Sequence, residues 1–343
     1  MTSRQRVCDT LEHRSVDRPP RQLWTLPYIP MFRKAELDRM QEEFPSDFAR
    51  APFRNGPSFA RGTPNLRGSY TDAFGCHWTV AEDGVAGEVK DPVIAEYEDD
   101  LDRYRLPWDM LRQSDLSGVN DFCRSTDKFV LQGTSIRPFE RMQFLRGTEN
   151  LLIDIALEEP GFFTLRDRLH EFYLTDLDRW CATDVDGLSF MDDWGSQRST
   201  LISPAAWRKL FKPLYREYCE KIHAAGKFAF FHSDGNIQAL YPDLVEIGID
   251  AVNSQLFCMD METLGRDFAG KITFWGEIDR QHILPFGTPE DVAKAVERVA
   301  RAVRAPELRS GVIAQCEWAK VDPYENIAAV FDAWNRAFDL PPR

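Results

Sequence analysis

The chain has 343 residues, of which 43% are hydrophobic and 12% aromatic, so it can bury one large core or two smaller ones. Its formal net charge is −13 and its pI is about 5.0, so its overall field repels phosphate backbones and anionic lipid surfaces. These values argue against nucleic acid and against a membrane surface as a partner.

The first twenty residues carry charges but no apolar segment, and no later stretch is apolar over the length that crosses a bilayer. We therefore expect a cytoplasmic protein. The cysteines are widely spaced without a Cys-x-x-Cys pair, and they are Cys8, Cys76, Cys123, Cys181, Cys219, Cys258 and Cys316. This pattern is typical of free thiols rather than of a disulfide framework.

Residues 1–110 are predicted to be irregular apart from a first strand. Prolines cluster at 19–20, 27–30 and 52–64, where they interrupt regular structure. The run RQLWTL around Trp24 is the candidate strand of this region. No repeat or flexible linker follows it, so we interpret residues 1–343 as a single domain.

From residue 129 to about residue 340, apolar runs alternate with amphipathic helical stretches in regular β/α repeats. The predicted strands are KFVLQG, GLSFMD, KFAFFH, IDAVNS, KITFWG and GVIAQC. Strands that alternate with helices form a parallel sheet. With the strand at Trp24 and one more strand hidden in the irregular part, the economical closure is a (β/α)8 TIM barrel. A doubly wound open sheet is the alternative, although the chain lacks the Gly-x-Gly-x-x-Gly turn that such a sheet needs.

Polar side chains stand where the predicted strands give way to loops. In a parallel barrel those ends meet at one mouth, where barrel enzymes carry their chemistry. A loop cap is the simpler interpretation for Asp192, Asn253 and Asp279. We expect the other strand-end residues to open onto one cavity; they are Asp193, His232, Gln255, Glu277 and Cys316, with Asp234 and Glu317 beside them.

His232, Asp234 and Cys316 stand out because imidazole, carboxylate and thiolate are the three common types of zinc ligand. His232 and Asp234 are two residues apart at one strand end. Three protein ligands leave a fourth position on the metal for a substrate. By residue type alone, a hydrogen-bonded histidine and a buried cysteine are the simpler interpretation.

Six long segments of the chain together carry a family likeness, and they are RQRVCDTLEHRSVDRPP, YTDAFGCHW, FMDDWGSQRSTLISPAAWRKLFKPLY, FHSDGNIQALYPDLVEIGIDAVNSQ, KITFWGEIDRQHILPFGTPEDV and GVIAQCEWAKVDPYENIAAVFDAW. In order and spacing they resemble the uroporphyrinogen decarboxylase superfamily. The likeness covers nearly the whole chain. The resemblance implies a (β/α)8 barrel with the active site at its C-terminal mouth.

Within that superfamily the pattern is most similar to the methylcobamide:coenzyme M methyltransferases. These carry zinc on a His-x-Cys pair and on a later cysteine ahead of a Pro-x-Glu-Asn helix start. His232 matches the histidine, and Cys316, upstream of Pro323, matches the later cysteine. Asp234 stands where the first cysteine would be. The resemblance therefore implies zinc on His232, Asp234 and Cys316, in a harder ligand set than two thiolates provide.

The true decarboxylases of the superfamily carry an N-terminal Arg-Gln-Ala-Gly-Arg-Tyr segment that holds the porphyrinogen carboxylates. The corresponding stretch LWTLPYIPMFRKAEL lacks it and keeps only Arg33 nearby. Asp72, in YTDAFG, matches the region of the aspartate that those enzymes direct at the pyrroles, and it is a candidate catalytic residue on that ground. The resemblance favours a methyltransferase over a porphyrinogen decarboxylase.

The activity that the resemblance implies is zinc-dependent transfer of a methyl group from a corrinoid or a similar donor to a thiol. Zinc deprotonates a thiol while keeping it nucleophilic. The chain has no Asp-x-His-x-x-Gly corrinoid-binding signature, so a methyl-corrinoid would arrive as substrate on a separate protein. Asp193 and Glu277 are candidate catalytic carboxylates or further ligands. The candidate substrate-binding residues are Arg137, Gln255 and Arg198.

Two other functions stay open. One is a metal-free decarboxylase or lyase that acts on a porphyrinogen or another carboxylated ring. The other is a non-catalytic protein that binds a corrinoid or tetrapyrrole. Metal content distinguishes the methyltransferase from both of these functions, since only the methyltransferase requires zinc.

Overall fold

The computed structural model describes residues 1–304 and 310–337, and eight parallel strands in these ranges form a nearly closed barrel. All strands of the described ranges, in chain order, are β1 Arg21–Thr25, β2 Phe48–Ala49, β3 Gly68–Thr71, β4 His77–Val80, β5 Glu88–Val89, β6 Phe129–Gly133, β7 Gly187–Met191, β8 Phe228–Ser233, β9 Ala251–Ser254, β10 Thr273–Trp275 and β11 Val312–Trp318. The barrel has the order β1-β11-β10-β9-β8-β7-β6-β2. The predicted (β/α)8 TIM barrel is confirmed, and the open doubly wound sheet is excluded.

Helices pack around the barrel and follow its loops. In the described ranges they are α1 Ser3–Leu11, α2 Tyr28–Phe32, α3 Lys34–Glu43, α4 Tyr97–Asp100, α5 Trp108–Arg112, α6 Val119–Ser125, α7 Pro138–Arg146, α8 Thr148–Leu157, α9 Pro160–Cys181, α10 Pro204–Leu210, α11 Lys212–Ala224, α12 Tyr241–Glu246, α13 Met261–Phe268, α14 Ile283–Phe286, α15 Pro289–Val303 and α16 Tyr324–Ala337, with 3-10 helices at Gln238–Leu240 and Leu256–Cys258. Capping residues fix several starts: Ser203 Oγ accepts a hydrogen bond from Ala206 N before α10, and Thr288 forms a capping box with Asp291 before α15. None of these described helices has the length and apolar character that a membrane span requires.

The eighth barrel strand is the two-residue β2, in the part of the chain that was predicted to be irregular. The buried Asp47 joins β2 to β1 across the remaining gap. Asp47 N donates a hydrogen bond to Arg21 O at 2.9 Å, and Asp47 Oδ2 accepts one from Arg21 N at 2.7 Å. Arg6 and Arg18 form ion pairs with the same carboxylate at 2.7 and 2.6 Å. Side-chain interactions therefore complete the barrel where strand pairing is short.

Side chains along each barrel strand alternate between the barrel interior and the surrounding helices. The outward-facing residues belong to the large core between barrel and helices. The inward-facing residues form a separate apolar cluster of Val7, Leu11, Phe48, Phe129, Leu131, Phe230, Ala251, Trp275 and Ile313. Because Val7 and Leu11 belong to α1, that helix fills the amino-terminal end of the barrel. The carboxyl ends of the strands form the mouth at which a ligand can enter.

Residues 68–89 form a three-stranded antiparallel sheet that the sequence did not predict. In it β3 pairs with β4, and β4 pairs with β5. Asp72 fixes the turn between β3 and β4, because its Oδ1 accepts hydrogen bonds from Phe74 N and Cys76 N, both at 2.9 Å. These strands are short and carry no clear alternation of apolar and polar residues, so pattern analysis had no signal to follow.

Candidate active site

The carboxyl ends of the neighbouring strands β7 and β8 bring one histidine and two carboxylates together. His232 lies near the end of β8, Asp234 follows β8, and Asp193 follows β7. His232 Nε2 is 3.7 Å from Asp193 Oδ1 and 3.6 Å from Asp234 Oδ1. Their candidate ligand atoms all lie within 4.8 Å of one another, and no other group of this kind occurs in the described ranges. These three residues form the candidate metal centre.

Hydrogen bonds hold the three side chains and leave one of the facing atoms, Asp234 Oδ1, unpaired among the described residues. Asp234 N donates to Asp193 Oδ1 at 2.9 Å. Asp234 Oδ2 lies 2.5 Å from Arg280 Nη2, whereas Asp234 Oδ1 is buried without a hydrogen-bond partner in the described part of the chain. His232 Nδ1 contacts Asn253 Oδ1 at 2.7 Å, so Nε2 is the ring nitrogen that faces the carboxylates. A nitrogen and two carboxylate oxygens thus converge on a common point.

Arg280 connects the metal centre to two other strand ends. Its guanidinium group lies 2.5 Å from Asp234, 2.6 Å from Glu317 and 3.7 Å from Glu277. Burial raises the pKa of Glu277 to about 8. The charge of Arg280 lowers this pKa, whereas the charges of Asp234 and Glu317 raise it. Burial would lower the pKa of Arg280, but its carboxylate neighbours raise it. At neutral pH Glu277 is therefore protonated and Arg280 is charged.

A cavity of about 810 Å³ lies at the barrel mouth beside the metal centre. His232 and Glu317 belong to its wall. The Trp24 ring packs edge-on against the rings of His232 and Trp275, with centroid distances of 5.4 and 5.0 Å. Other apolar or aromatic residues of the wall are Phe48, Phe53, Leu131, Phe190 and Met191. A cavity of this size accommodates a ligand larger than a simple thiol.

Cys316 lies on the opposite face of β11 from this cavity. Glu317 lines the cavity and Gln315 contacts Asn253 inside the barrel, whereas Cys316 is fully buried in the outer core. Burial raises the pKa of its thiol well above the usual value. Because successive side chains of a strand face opposite ways, the expectation that Cys316 opens onto the same cavity as His232 is wrong. The structure does not bring this predicted zinc ligand to the metal centre. All seven cysteines are unpaired, as predicted.

Asp72 and Asp192 lie outside the metal centre. Asp72 Oδ2 pairs with Arg141 Nη1 at 2.6 Å, its other oxygen holds the β3–β4 turn, and Asp72 is not among the residues that line the cavity. The structure therefore does not bring this predicted catalytic residue to the site. Asp192 accepts hydrogen bonds from Phe139 N and Glu140 N at 2.8 and 2.7 Å in the first turn of α7. Asp192 therefore holds the start of α7 from a buried position and does not cap its own loop.

The predicted substrate-binding residues are distributed over three places. Arg137 contacts Met191, which lines the large cavity. Gln255 and Glu277 line a separate cavity of about 50 Å³, and Asp193 is not among the residues that line the large one. The expectation that these residues open onto the same cavity as His232 is therefore wrong. Arg198 is exposed and lines neither of these two cavities. Of the three candidates, only Arg137 lies next to the large cavity, where it contacts the lining residue Met191.

Two charged residues near the metal centre were missed by sequence reasoning. Arg280 follows the strand-end Glu277 by three residues, and a cation at that spacing was the available signal. Glu140 lies in the first turn of α7, where no sequence pattern marks a functional residue. Burial raises the pKa of Glu140, and its charge interacts with Asp193 and His232. Arg280 and Glu140 therefore both shape the electrostatics of the centre.

Comparisons with known proteins agree with this architecture. The family model for uroporphyrinogen decarboxylase (URO-D) matches residues 70–337. The fold is similar to that of a solved structure of a methyltransferase from Methanosarcina mazei, with a TM-score of 0.71, 13% sequence identity, and coverage of 98% of this chain and 99% of that chain. A glycosylated endo-β-1,4-xylanase of glycoside hydrolase family 10 from Gloeophyllum trabeum matches with a TM-score of 0.38, 10% identity, and coverage of 64% of this chain and 80% of that chain, which is too weak to carry an argument. No curated protein matches the sequence. At these identities the structural likeness shows the fold alone.

Proposed function

The chain belongs to the uroporphyrinogen decarboxylase family, and we propose that it is a metal-dependent methyltransferase of that superfamily. In this proposal Asp193, His232 and Asp234 hold zinc, and a methyl group passes to a thiol from a corrinoid on a separate protein or from a similar donor. The observation that carries the proposal is Asp234 Oδ1, a buried carboxylate oxygen without a hydrogen-bond partner in the described residues, 3.6 Å from His232 Nε2. Leaving a buried polar atom unpaired costs about 1–3 kcal/mol, and more for a charged group, so a cation between these atoms would be stabilising.

Two of the three separations between the candidate ligand atoms are close to those around a zinc ion, and all three are within 4.8 Å. Zinc bonds to nitrogen and oxygen of about 2.1 Å, at tetrahedral angles, place two ligand atoms about 3.4 Å apart. The two separations from His232 Nε2 are 3.7 Å to Asp193 and 3.6 Å to Asp234. They are too long for hydrogen bonds but close to the separation expected for two ligands of one ion.

The charges around the metal centre also favour a cation. Asp193, Asp234 and Glu317 bring three negative charges against the single positive charge of Arg280, which leaves an excess of two. Glu277 adds no charge at neutral pH, because its pKa is raised to about 8. Like charges this close together repel one another, although Asp193 and Asp234 are partly exposed, so a divalent ion would stabilise this group.

The proposed ligand set differs from the one that the family resemblance implied. Asp193 replaces Cys316, so the centre has one imidazole and two carboxylates. This set is harder than one containing thiolates, and it suits zinc as well as other divalent first-row metals. Metal analysis should therefore include manganese and iron beside zinc.

The protein's own residues would bind and orient the reactants. Bound zinc would deprotonate the acceptor thiol and keep it nucleophilic. The large cavity beside His232 would hold the acceptor, with the rings of Trp24 and Trp275 in its wall. Arg280 holds Asp234 through the oxygen that faces away from His232. Arg280, which lies close to Asp234, Glu317 and Glu277, would offset carboxylate charge beside the acceptor.

The methyl donor is proposed to come from outside this chain. The sequence has no corrinoid-binding signature, whereas the cavity of about 810 Å³ lies at the barrel mouth beside the metal centre. A corrinoid carried by a separate protein, or a similar methyl donor, could reach the acceptor through this mouth. The partner protein is thus part of the proposal and is testable separately from the metal.

The alternative of a porphyrinogen decarboxylase has less support. It needs Asp72 at the cavity, but Asp72 pairs with Arg141 instead. Arg33, the one arginine near the position of the decarboxylase arginine segment, hydrogen bonds to Glu36 and to Asp322 O. Neither residue is among those that line the large cavity. No specific observation favours this function or that of a non-catalytic binder.

The test is methyl transfer from free methylcobalamin to a panel of small thiols. The reaction is monitored through the loss of the methyl-cobalt absorbance. Zinc-loaded protein should accelerate the reaction, and a chelator should remove both the metal and the activity. His232→Ala should abolish both together. His170→Ala is the matched control, because His170 hydrogen bonds to Tyr218 and Glu217 away from the barrel mouth and should leave both unchanged. Activity that survives chelation, or turnover of a porphyrinogen instead, would contradict the proposal.

A further inference from the structure

We infer that Asn253, interpreted from the sequence as a loop cap, is a positioning residue of the metal centre. It accepts a hydrogen bond from His232 Nδ1–H, fixes the tautomer of the imidazole, and so directs the Nε2 lone pair at Asp193 and Asp234. The consequence for metal binding rests on the proposed function. The tautomer itself does not.

The contact between the two side chains is set by strand pairing. His232 of β8 lies opposite Asn253 of β9 in the parallel register, and both side chains point into the barrel. Asn253 is only 1% exposed and His232 only 8%, so neither can exchange this contact for bulk water. The distance from Nδ1 to Asn253 Oδ1 is 2.7 Å. Asn253 is therefore the fixed partner of this ring nitrogen.

The other hydrogen bonds of Asn253 decide which way its amide points. Its Nδ2 donates to the backbone carbonyl of Trp275 and, at 3.1 Å, to Gln315 Oε1. A backbone carbonyl only accepts hydrogen bonds, so the amide nitrogen must face Trp275 and the amide oxygen must face His232. Because that oxygen can only accept, the proton must be on His232 Nδ1. The neutral imidazole then carries its lone pair on Nε2.

This amide layer is built across four strands directly below the metal centre. Trp275 Nε1 donates to Gln22 Oε1 at 2.6 Å, which links β10 to β1. Gln315 of β11 reaches the layer only because residue 276 is glycine: a Cβ there would lie 2.2 Å from Gln315 Oε1, and Gly276 has a φ of +72°. A substituted residue 276 would displace Gln315 and with it a partner of Asn253.

A purely structural role does not account for an amide at this position. The neighbouring interior cluster is apolar, with Phe230, Ala251, Trp275 and Ile313 among its members. An apolar residue in place of Asn253 would fill the same space without the cost of burying an amide. The Asn253 amide instead lies beside the His232 ring. Hydrogen-bond partners of metal-bound histidines fix the tautomer and orient the ring.

The decisive experiment is two-bond ¹H–¹⁵N correlation NMR of metal-free protein with ¹⁵N-labelled histidine, at about pH 9, above the ordinary imidazole pKa. Wild-type His232 should be entirely in the Nδ1–H form. Asn253→Leu, of similar shape, should shift it toward the Nε2–H form. Asn326→Leu is the matched control, because Asn326 is equally buried and donates to the carbonyls of Leu284 and Gly287, both at 2.8 Å, away from His232.

Metal affinity is measured on the same proteins by competition with a chelator. Asn253→Leu should weaken zinc binding by about 10- to 100-fold, as is usual when such a partner is lost. Asn253→Asp, which still offers an acceptor oxygen to Nδ1–H, should retain the wild-type tautomer and recover affinity relative to the leucine variant. Asn326→Leu should lower stability without changing zinc affinity.

The outcomes separate this inference from the proposed function. If wild-type His232 is in the Nε2–H form, or if Asn253→Leu leaves the tautomer unchanged, the positioning role is overturned even if the protein binds metal. The wild-type spectrum decides this even if the leucine variant fails to fold. If the tautomer behaves as expected but none of the proteins binds metal, the positioning role stands and the proposed function fails.

Discussion

Replacing Cys316 with alanine distinguishes the ligand set of the structure from the one implied by sequence resemblance. Cys316 is fully buried in the outer core, on the face of β11 opposite the cavity. The variant should therefore keep its metal. Its cost should appear in stability alone, because removal of one buried sulfur lowers the free energy of unfolding by about 1–2 kcal/mol through lost apolar contact and a small void.

Asp234→Asn is the opposite perturbation. The amide preserves the shape of the side chain but removes an anionic ligand 3.6 Å from His232 Nε2 and weakens the 2.5 Å contact with Arg280. Loss of an outer partner of a metal ligand costs about 10- to 100-fold in affinity, so loss of a direct ligand should cost about 100-fold or more. In free energy, 100-fold is about 2.8 kcal/mol.

The assay compares zinc bound per chain after dialysis against chelator-buffered zinc, together with the rise in Tm that zinc produces. A metal that binds only the folded state stabilises it by RT ln(1 + [metal]/Kd), and this stabilisation raises Tm. Wild-type protein and Cys316→Ala should both show the rise, whereas Asp234→Asn should not at the same free zinc. Loss of zinc from Cys316→Ala to the same extent as from Asp234→Asn would refute the reasoning from strand alternation.

Three further predictions concern charge in and around the barrel. Burial raises the pKa of Glu277 to about 8, so the folded state of the metal-free protein holds a proton that the unfolded chain has lost above its ordinary pKa near 4.5. The free energy of unfolding of the wild type, measured in urea, should therefore fall by several kcal/mol as pH rises from about 5 to about 8. Glu277→Gln should remove this fall. The same pH dependence in the variant would count against a buried neutral carboxyl. Asp47→Asn should lower the free energy of unfolding by about 3–5 kcal/mol, because Arg6 and Arg18 lose their buried partner. Burial raises the pKa of Asp47, but Arg18 and other hydrogen-bond donors lower it by more, so the net shift is downward. The contribution of Asp47 to stability is therefore present above about pH 4 and lost at lower pH. Equal acid sensitivity of the wild type and Asp47→Asn would contradict this. Asp234→Cys should tighten zinc binding by restoring a thiolate, and unchanged affinity would indicate that Asp234 is not a ligand.

The sequence was sufficient for the architecture but not for its shortest parts. Long apolar strands such as Phe228–Ser233 and Val312–Trp318 alternate with amphipathic helices, and this rhythm predicts a barrel. The closing strand Phe48–Ala49 has only two residues, which is too few to show any period. Its place depends on Asp47 and the arginines around it, which are long-range contacts that no local pattern reveals.

The candidate site was predicted in part for a related reason. His232, Asp193 and Asp234 were found because strand ends of a parallel barrel meet at one mouth. Cys316 was misplaced because a single residue of register decides which face of a strand a side chain occupies, and β11 continues to Trp318 rather than ending at the cysteine. The role inferred for Asn253 depends on its pairing with β8 and on contacts to two further strands, so only the structure could indicate it.

X-ray absorption at the zinc edge, before and after addition of a thiol, tests the central claim most directly. The resting protein should show only nitrogen and oxygen neighbours, from His232, Asp193 and Asp234. Addition of a thiol should bring in one sulfur at about 2.3 Å. Sulfur already bound in the resting protein would place Cys316 at the metal, and an absence of zinc, or no sulfur after thiol addition, would contradict the proposed methyltransferase.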